Sequence, residues 1–170
     1  GWFWLVIALL LCVKEDLSIF VLFFGVYLML GREFRHGVAL VVVGIAWYEL
    51  VTGVFMPDIS GGPYLYWTYG QLGHNLPSAL WGAVSAPWRI FTIGFSPAQK
   101  ARTIIALLAP FLFLSLGSRL FILALPLLAE RFLSTNMNFW TTHFHYSLAL
   151  SPVLAMAAAD ALANASRLVG

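Results

Sequence analysis

Residues 37–55 have the sequence GVALVVVGIAWYELVTGVF, an apolar run in which Glu49 is the one charged side chain. A transmembrane helix needs about 20 such residues to cross the roughly 30 Å hydrocarbon core of a bilayer. Further apolar runs lie on both sides of this one, at residues 2–13, 17–30, 101–116, 120–133 and 146–162. The pattern predicts an all-α, polytopic transmembrane helix bundle with about six hydrophobic segments, several of them short for a span.

Composition supports a membrane protein. Apolar residues make up 61% of the chain and charged residues 9%, and the mean hydropathy is +0.89. An ordinary soluble domain has about 25% charged residues, so the expected surroundings and partner of this chain are membrane lipid. The net charge of +2 is spread over several loops and forms no basic stripe, which excludes nucleic acid as a partner.

The chain is predicted to be one transmembrane domain, residues 1–170, of a longer protein. Its first apolar run has the length of a signal-peptide core, but no Met or basic leader precedes it and acidic residues follow it. We therefore expect a missing N-terminal part as a partner, and a multi-pass location in the plasma or inner membrane. The arginines in the short turns favour placing those turns on the cytoplasmic side.

Residues 56–100 are predicted to form an outer loop that carries an interfacial helix. Asn75 and Pro77 resemble a helix start, because proline is tolerated in the first turn. Apolar side chains then recur at spacings of three and four, which is typical of an amphipathic helix lying in the membrane interface. They are Leu80, Trp81, Val84, Trp88 and Phe91. A second helix start is predicted at Ser96, with Gln99 completing a capping box.

Lys14, Glu15 and Asp16 are three consecutive ionisable residues between apolar runs. Asp16 is about 24 Å of helix from Arg32, at 1.5 Å per residue, which is less than the hydrocarbon thickness. Two alternatives follow. The tripeptide is a loop in locally thinned membrane, with Lys14 neutralising one acid, or its carboxylates lie in a watery cavity. In the second case Glu15 and Asp16 are candidate catalytic residues, as general bases or metal ligands.

Basic and histidine residues supply candidate substrate contacts. Arg89, Lys100 and Arg102, together with Lys14, are candidates for binding the phosphates of an anionic lipid-linked substrate, and ordinary headgroup contact explains them equally well. His143, His145 and Tyr146 are further candidates, as phosphate donors or as interfacial aromatic anchors. Two histidines do not make a zinc site, so no metal site is assigned. The cofactor stays unknown, with a divalent metal ion as an open alternative.

Several short motifs occur in a familiar order. They are Lys14-Glu15-Asp16, FGVYL at 24–28, Ala46-Trp47, Met56-Pro57, YWTYGQLG at 66–73, Ala86-Pro87-Trp88, Leu125-Pro126, and His145-Tyr146 with Pro152. This order resembles the later part of the bacterial and archaeal predicted membrane proteins of domain-of-unknown-function family 2079. The likeness covers nearly the whole chain and rests on order and spacing.

The resemblance implies a GT-C type glycosyltransferase, which moves a sugar from a polyprenyl-phosphate carrier to an acceptor at the outer face. It matches Lys14, Glu15 and Asp16 to a charged tripeptide of the family, and His145-Tyr146 to a histidine-tyrosine pair. It also implies that the usual acidic catalytic residue of the GT-C group lies upstream of residue 1. The rival interpretations are a transporter or flippase-like protein that binds a lipid substrate, and a non-catalytic subunit of a membrane complex.

Overall fold

A computed structural model of the chain describes residues 2–62, 64–142 and 144–169. Every regular element in these ranges is a helix, and none of the described residues is in a strand. The all-α prediction is therefore confirmed. The chain forms two compact units, Gly1–Tyr66 and Trp67–Gly170, and each is described by itself. The assignment of residues 1–170 to a single transmembrane domain stays a prediction.

The first unit is built from two short helices and one long helix that consists of two α-helical parts joined by a π-helical turn. Its elements are α1 (Trp2–Leu11), α2 (Leu17–Leu30), α3 (Phe34–Leu50) and α4 (Met56–Ser60). A π-helical turn, Val51–Phe55, joins α3 to α4 without interruption. The continuous helix ends at Gly61, whose left-handed backbone (φ 68°) is a conformation that glycine adopts without steric cost.

Glycines let α2 and α3 pack with their backbones in contact. A Cβ atom built on Gly25 would lie 2.5 Å from the Gly37 carbonyl oxygen, and one on Gly44 would lie 2.6 Å from the Ser18 carbonyl oxygen. Small residues at such positions are typical of helix pairs in membranes, where close van der Waals packing replaces the hydrophobic effect. The hairpin is closed by a turn at Arg32, which has a left-handed φ of 71°.

The second unit consists of five α-helices linked by shorter turns. They are α5 (Leu76–Ser85), α6 (Trp88–Phe95), α7 (Ala98–Leu108), α8 (Ala124–Phe132) and α9 (Leu150–Val169). Between them lie 3₁₀ turns at Ala109–Phe111, Leu114–Gly117, Arg119–Leu123, Met137–Trp140 and His145–Ser147.

The predicted interfacial helix is two helices. The start at Asn75 is confirmed, because its side chain accepts from the Ser78 amide while the Ser78 hydroxyl accepts from the Asn75 amide. The break at Ala86 follows from Pro87, which disfavours helical backbone in the residue before it. The predicted apolar stripe is exposed in both helices. Its exposed members are Leu80, Trp81, Val84, Trp88 and Phe91.

The predicted number of about six hydrophobic segments is wrong as a number of spans. Within the described part of the chain, two helices are long and apolar enough to cross a membrane, Phe34–Ser60 with 27 residues and His145–Arg167 with 23. Trp2–Leu11 and Leu17–Leu30 are apolar but shorter. At 1.5 Å per residue these two extend about 15 Å and about 21 Å, which is less than the roughly 30 Å hydrocarbon core.

The run at residues 101–116 does not form one continuous helix, and the run at residues 120–133 is divided between the 3₁₀ turn Arg119–Leu123 and α8. Helix α7 ends before Pro110, and Leu112 and Phe113 then adopt left-handed conformations with φ of 51° and 60°. Such backbone is costly for bulky residues and cannot continue a helix. The segment packs on α9 instead, where the Ser115 hydroxyl donates to the Leu154 carbonyl at 2.9 Å.

The predicted capping box at Ser96 is also wrong. Pro97 occupies the N-cap of α7 in an extended conformation (φ −73°, ψ 171°). Ser96 therefore lies one residue too early to cap the helix, and proline has no side-chain oxygen that could accept a hydrogen bond.

Candidate functional site

The charged tripeptide forms the turn between α1 and α2. The carbonyls of Lys14 and Glu15 accept from the amides of Leu17 and Ser18, each at 3.1 Å, and this begins the first turn of α2. The buried Ser18 hydroxyl donates to the same Glu15 carbonyl. Backbone groups of the tripeptide thus start the helix, which leaves its side chains for other contacts.

Two of the three side chains form an ion pair. The Lys14 ammonium contacts the Asp16 carboxylate, with 45% of the lysine side chain and 19% of the aspartate side chain exposed. This contact agrees with the alternative in which Lys14 neutralises one acid. The lysine end of the pair is open to solvent, so the ion pair itself contributes little to stability.

Glu15 has a partner that the sequence did not suggest. The Tyr64 hydroxyl donates to the Glu15 carboxylate at 3.2 Å across 49 positions of sequence. Burial, followed by the negative charges of Glu15 and Asp16, raises the pKa of the Tyr64 phenol well above its ordinary value. The phenol therefore remains a hydrogen-bond donor at neutral pH.

Lys14, Glu15, Asp16 and Tyr64 together form what we call the tripeptide cluster. Both carboxylates are partly exposed, which suits them to accept a proton from a bound hydroxyl. Among the described residues, no group of three or more His, Cys, Asp or Glu side chains could hold a metal ion.

Lys100, a predicted phosphate contact, is buried, with 1% of the residue exposed. Its ammonium donates to the carbonyls of Ile93 at 2.9 Å, Phe132 at 2.7 Å and Ser134 at 3.3 Å, so it ties α7 to the ends of α6 and α8. It also lies 4.4 Å from the centre of the Trp140 ring. Burial lowers the pKa of this ammonium. An ammonium has three hydrogens, and backbone carbonyls accept all three.

Arg131 is a second buried cation, and sequence reasoning missed it. Its guanidinium donates to the carbonyls of Phe139 at 3.0 Å and Thr141 at 2.9 Å, and to the Ser147 hydroxyl at 3.1 Å. Burial lowers its pKa. The signal was an arginine inside the apolar run at residues 120–133, because an unpaired charge there would be costly.

The other predicted site residues have no described hydrogen bond or ion pair to the tripeptide cluster. Arg89 is exposed and donates to the Gln71 carbonyl, and Arg102 is exposed on α7. His145 is exposed, with its ring 4.8 Å from that of Tyr146. Both belong to a 3₁₀ turn before α9. His143 lies outside the described residues. The structure thus brings Lys14, Glu15 and Asp16 together, as their sequence requires, and adds Tyr64.

Comparison with protein families identifies the chain as a predicted membrane protein. The family described as "Predicted membrane protein (DUF2079)" matches the chain over residues 1–169. No curated protein and no solved structure matches it.

Proposed function

We propose that this chain, which belongs to the DUF2079 family of predicted membrane proteins, forms part of a multi-pass glycosyltransferase of the plasma or inner membrane. The enzyme would be of the GT-C type and take its sugar from a polyprenyl-phosphate carrier at the outer face. The tripeptide cluster is its acid-base group, with Glu15 as the general base.

The observation that carries the proposal is the environment of Glu15. Its carboxylate lies in a short turn between two apolar helices, accepts a hydrogen bond from Tyr64 and is partly exposed. Asp16 next to it is already paired with Lys14. Ionisable groups kept between apolar helices are costly and are typical of functional sites in membrane proteins.

The proposed reaction is transfer of the sugar from its phosphate carrier to an acceptor hydroxyl. The acceptor hydroxyl oxygen attacks the anomeric carbon of the sugar, and the bond from that carbon to the phosphate oxygen breaks. Polyprenyl phosphate leaves with the electron pair, and the acceptor proton passes to the Glu15 carboxylate. A base positioned for this transfer contributes about 10²-fold to 10⁴-fold to the rate. Asp16 is proposed to hold Lys14, whose ammonium would stabilise the negative charge that develops on the departing phosphate.

Arg89 and Arg102 are proposed to contact phosphate groups at the membrane surface, because both are exposed and Arg binds phosphate oxygens in a bidentate way. The exposed aromatic side chains of α5 and α6 support a location of this segment in the membrane interface. Lys100 gains no such support, because its hydrogens are engaged by carbonyls. His145 and Tyr146 stay proposed substrate contacts, and a divalent ion stays an alternative source of charge stabilisation.

The test is sugar transfer by the full-length protein in bilayers, with a radiolabelled polyprenyl-phosphate sugar as donor. Glu15→Gln is expected to lower the turnover rate by about 10²-fold or more, since the base is lost. Asp16→Asn is expected to lower it less. Glu33→Gln is the matched control, because Glu33 is an exposed acid at the other end of α2. Transfer by Glu15→Gln at the Glu33→Gln rate would remove Glu15 from the mechanism.

A transporter or flippase is the second candidate, and the broken segment Ala109–Leu123 favours it. Discontinuous helices line the substrate paths of many transporters. That proposal predicts movement of a lipid-linked substrate between the leaflets of a vesicle without any change in its sugar. A donor that crosses the vesicle membrane intact in the presence of the protein would favour this candidate over the transferase.

A further inference from the structure

The contact between Tyr64 and Glu15 joins two segments far apart in sequence. Glu15 lies in the turn before α2, and Tyr64 follows the end of α4. The Tyr64 ring is half-buried and packs edge-on against Tyr66, with centroids 5.8 Å apart. The phenol is thus held by the fold on one side and by the carboxylate on the other.

The two acids of the tripeptide cluster are oriented by different kinds of partner. Asp16 is held by the ammonium of Lys14, whereas Glu15 is held by a neutral hydroxyl. A glutamate side chain has three rotatable bonds, and fixing it costs conformational entropy. A phenol has a single O–H, so it engages one carboxylate oxygen and leaves the other for a reacting group.

We propose that Tyr64 is a positioning residue for Glu15: its hydroxyl fixes the rotamer of the carboxylate so that the second oxygen faces the acceptor hydroxyl. This inference rests on the proposed role of Glu15 as general base. Hydrogen bonds to charged groups are stronger than those between neutral groups, which suits this contact to orient a catalytic side chain. Burial and the neighbouring carboxylates raise the pKa of the phenol, so Tyr64 keeps its proton while Glu15 accepts one.

The kinetic test compares Tyr64→Phe with Tyr66→Phe. Both remove one hydroxyl from neighbouring positions, and Tyr66 is 70% exposed. Tyr64→Phe is expected to lower kcat by about tenfold or more, the effect of losing one hydrogen bond to a charged group, with KM for the donor changed by less than about twofold. Tyr66→Phe is expected to behave as wild type. A purely structural role would instead lower the amount of active protein and leave kcat per active site unchanged.

The second test does not depend on activity. Tetranitromethane nitrates tyrosines, and peptide mass spectrometry measures the reaction at each ring. In the wild-type protein Tyr66 is expected to react faster than Tyr64. Glu15→Ala removes the acceptor and is expected to raise nitration at Tyr64 several-fold while leaving Tyr66 unchanged. Glu33→Ala is the control and is expected to change neither rate.

Glu15→Gln separates failure of this inference from failure of the proposed function. Its amide oxygen still accepts from Tyr64, so nitration at Tyr64 is expected to stay slower than in Glu15→Ala although transfer is lost. Normal transfer by Glu15→Gln, with slow nitration, would overturn the proposed function and the positioning role with it, although the contact exists. If instead Glu15→Gln is inactive but Tyr64→Phe has the same kcat as Tyr66→Phe, the role of Glu15 as general base is supported and the positioning role of Tyr64 is overturned. Unchanged Tyr64 nitration in Glu15→Ala would also overturn it.

Discussion

The chain has two lysines, one in each unit, and their surroundings are opposite. Lys14 is exposed over 45% of its side chain and pairs with Asp16 beside Glu15. Lys100 is buried, and its hydrogens go to three backbone carbonyls. Lys14 follows an apolar run and Lys100 precedes one, so from sequence alone both were predicted to contact phosphate groups. The contacts of Lys14 are with a partly exposed side chain, which a substrate can compete for, whereas the contacts of Lys100 hold helices together.

The same contrast extends to the neighbouring groups. Around Lys14 the partners are side chains that ionise or donate hydrogen bonds, and they are partly exposed. Around Lys100 and Arg131 the acceptors are mostly backbone carbonyls, whose charge and position do not change. A substrate phosphate can compete with Asp16 for the partly exposed Lys14 ammonium at small cost. Displacing the second kind would leave buried groups without partners, which is strongly unfavourable.

The largest expected effect is on stability of the second unit. Lys100→Met keeps an unbranched side chain but removes the donor to the Ile93 and Phe132 carbonyls, while Ser134 retains a bond from the Trp140 indole at 2.9 Å. Two unsatisfied acceptors should lower the free energy of unfolding by about 3 kcal/mol. Unfolding in mixed detergent micelles measures this value.

The exposed Arg102 provides the control on the same helix. Arg102→Met is expected to change the free energy of unfolding by less than about 0.5 kcal/mol, as at an ordinary surface position. Equal stability of Lys100→Met and Arg102→Met would show that Lys100 does not hold the helices together, and the comparison between the two lysines would fail.

The next effect concerns the packing of the first unit. Gly25→Ala places a methyl group 2.5 Å from a backbone carbonyl and is expected to cost about 1–3 kcal/mol. Gly53→Ala is the matched control, because no heavy atom of the described residues outside its own helix and chain neighbours lies within 4 Å of the same position there. Comparable melting temperatures for the two variants would argue against backbone contact between α2 and α3.

A smaller effect is the dependence of stability on alkaline pH. The pKa of Tyr64 is raised in the folded protein above its ordinary value of about 10. Above that pH the unfolded chain loses this proton while the folded protein keeps it, so the free energy of unfolding falls. The slope is at most about 1.4 kcal/mol per pH unit, and it is fully absent below pH 9 or so.

Tyr64→Phe removes this titration and is expected to lose less stability than wild type between pH 9 and pH 11. The measurement is the difference in unfolding free energy at the two pH values for each protein. Parallel curves for wild type and Tyr64→Phe would mean that Tyr64 ionises normally in the folded state.

Much of the fold could be predicted from sequence because local chemistry determines it. Composition identified helices in an apolar environment, the run at Leu17–Leu30 coincides with α2, and Asn75 starts α5 as expected. The failures lie where tertiary packing overrides a local pattern. The run at residues 101–116 is mostly apolar, yet its second half leaves the helix and contacts α9 through Ser115.

The candidate site was predicted in the same uneven way. Three adjacent charges in an apolar sequence are visible without a structure, so the tripeptide was singled out. Tyr64 could not be predicted as part of the site, because its contact with Glu15 spans 49 positions of sequence and depends on the fold. The sequence also could not distinguish Lys100 from a surface cation. Its acceptors are backbone carbonyls, which every residue type has. Arg131 carried a signal, its place inside an apolar run, that was not used.

The most direct measurement is amine acylation of the folded protein in detergent or bilayers, followed by mass spectrometry at the two lysines. We predict that Lys14 is modified readily, because 45% of its side chain is exposed, while Lys100 stays protected until the protein is unfolded. Modification of Lys100 at the rate of Lys14 in the folded protein would contradict it. In that case Lys100 would be as accessible as Lys14 and would not hold the helices of the second unit together.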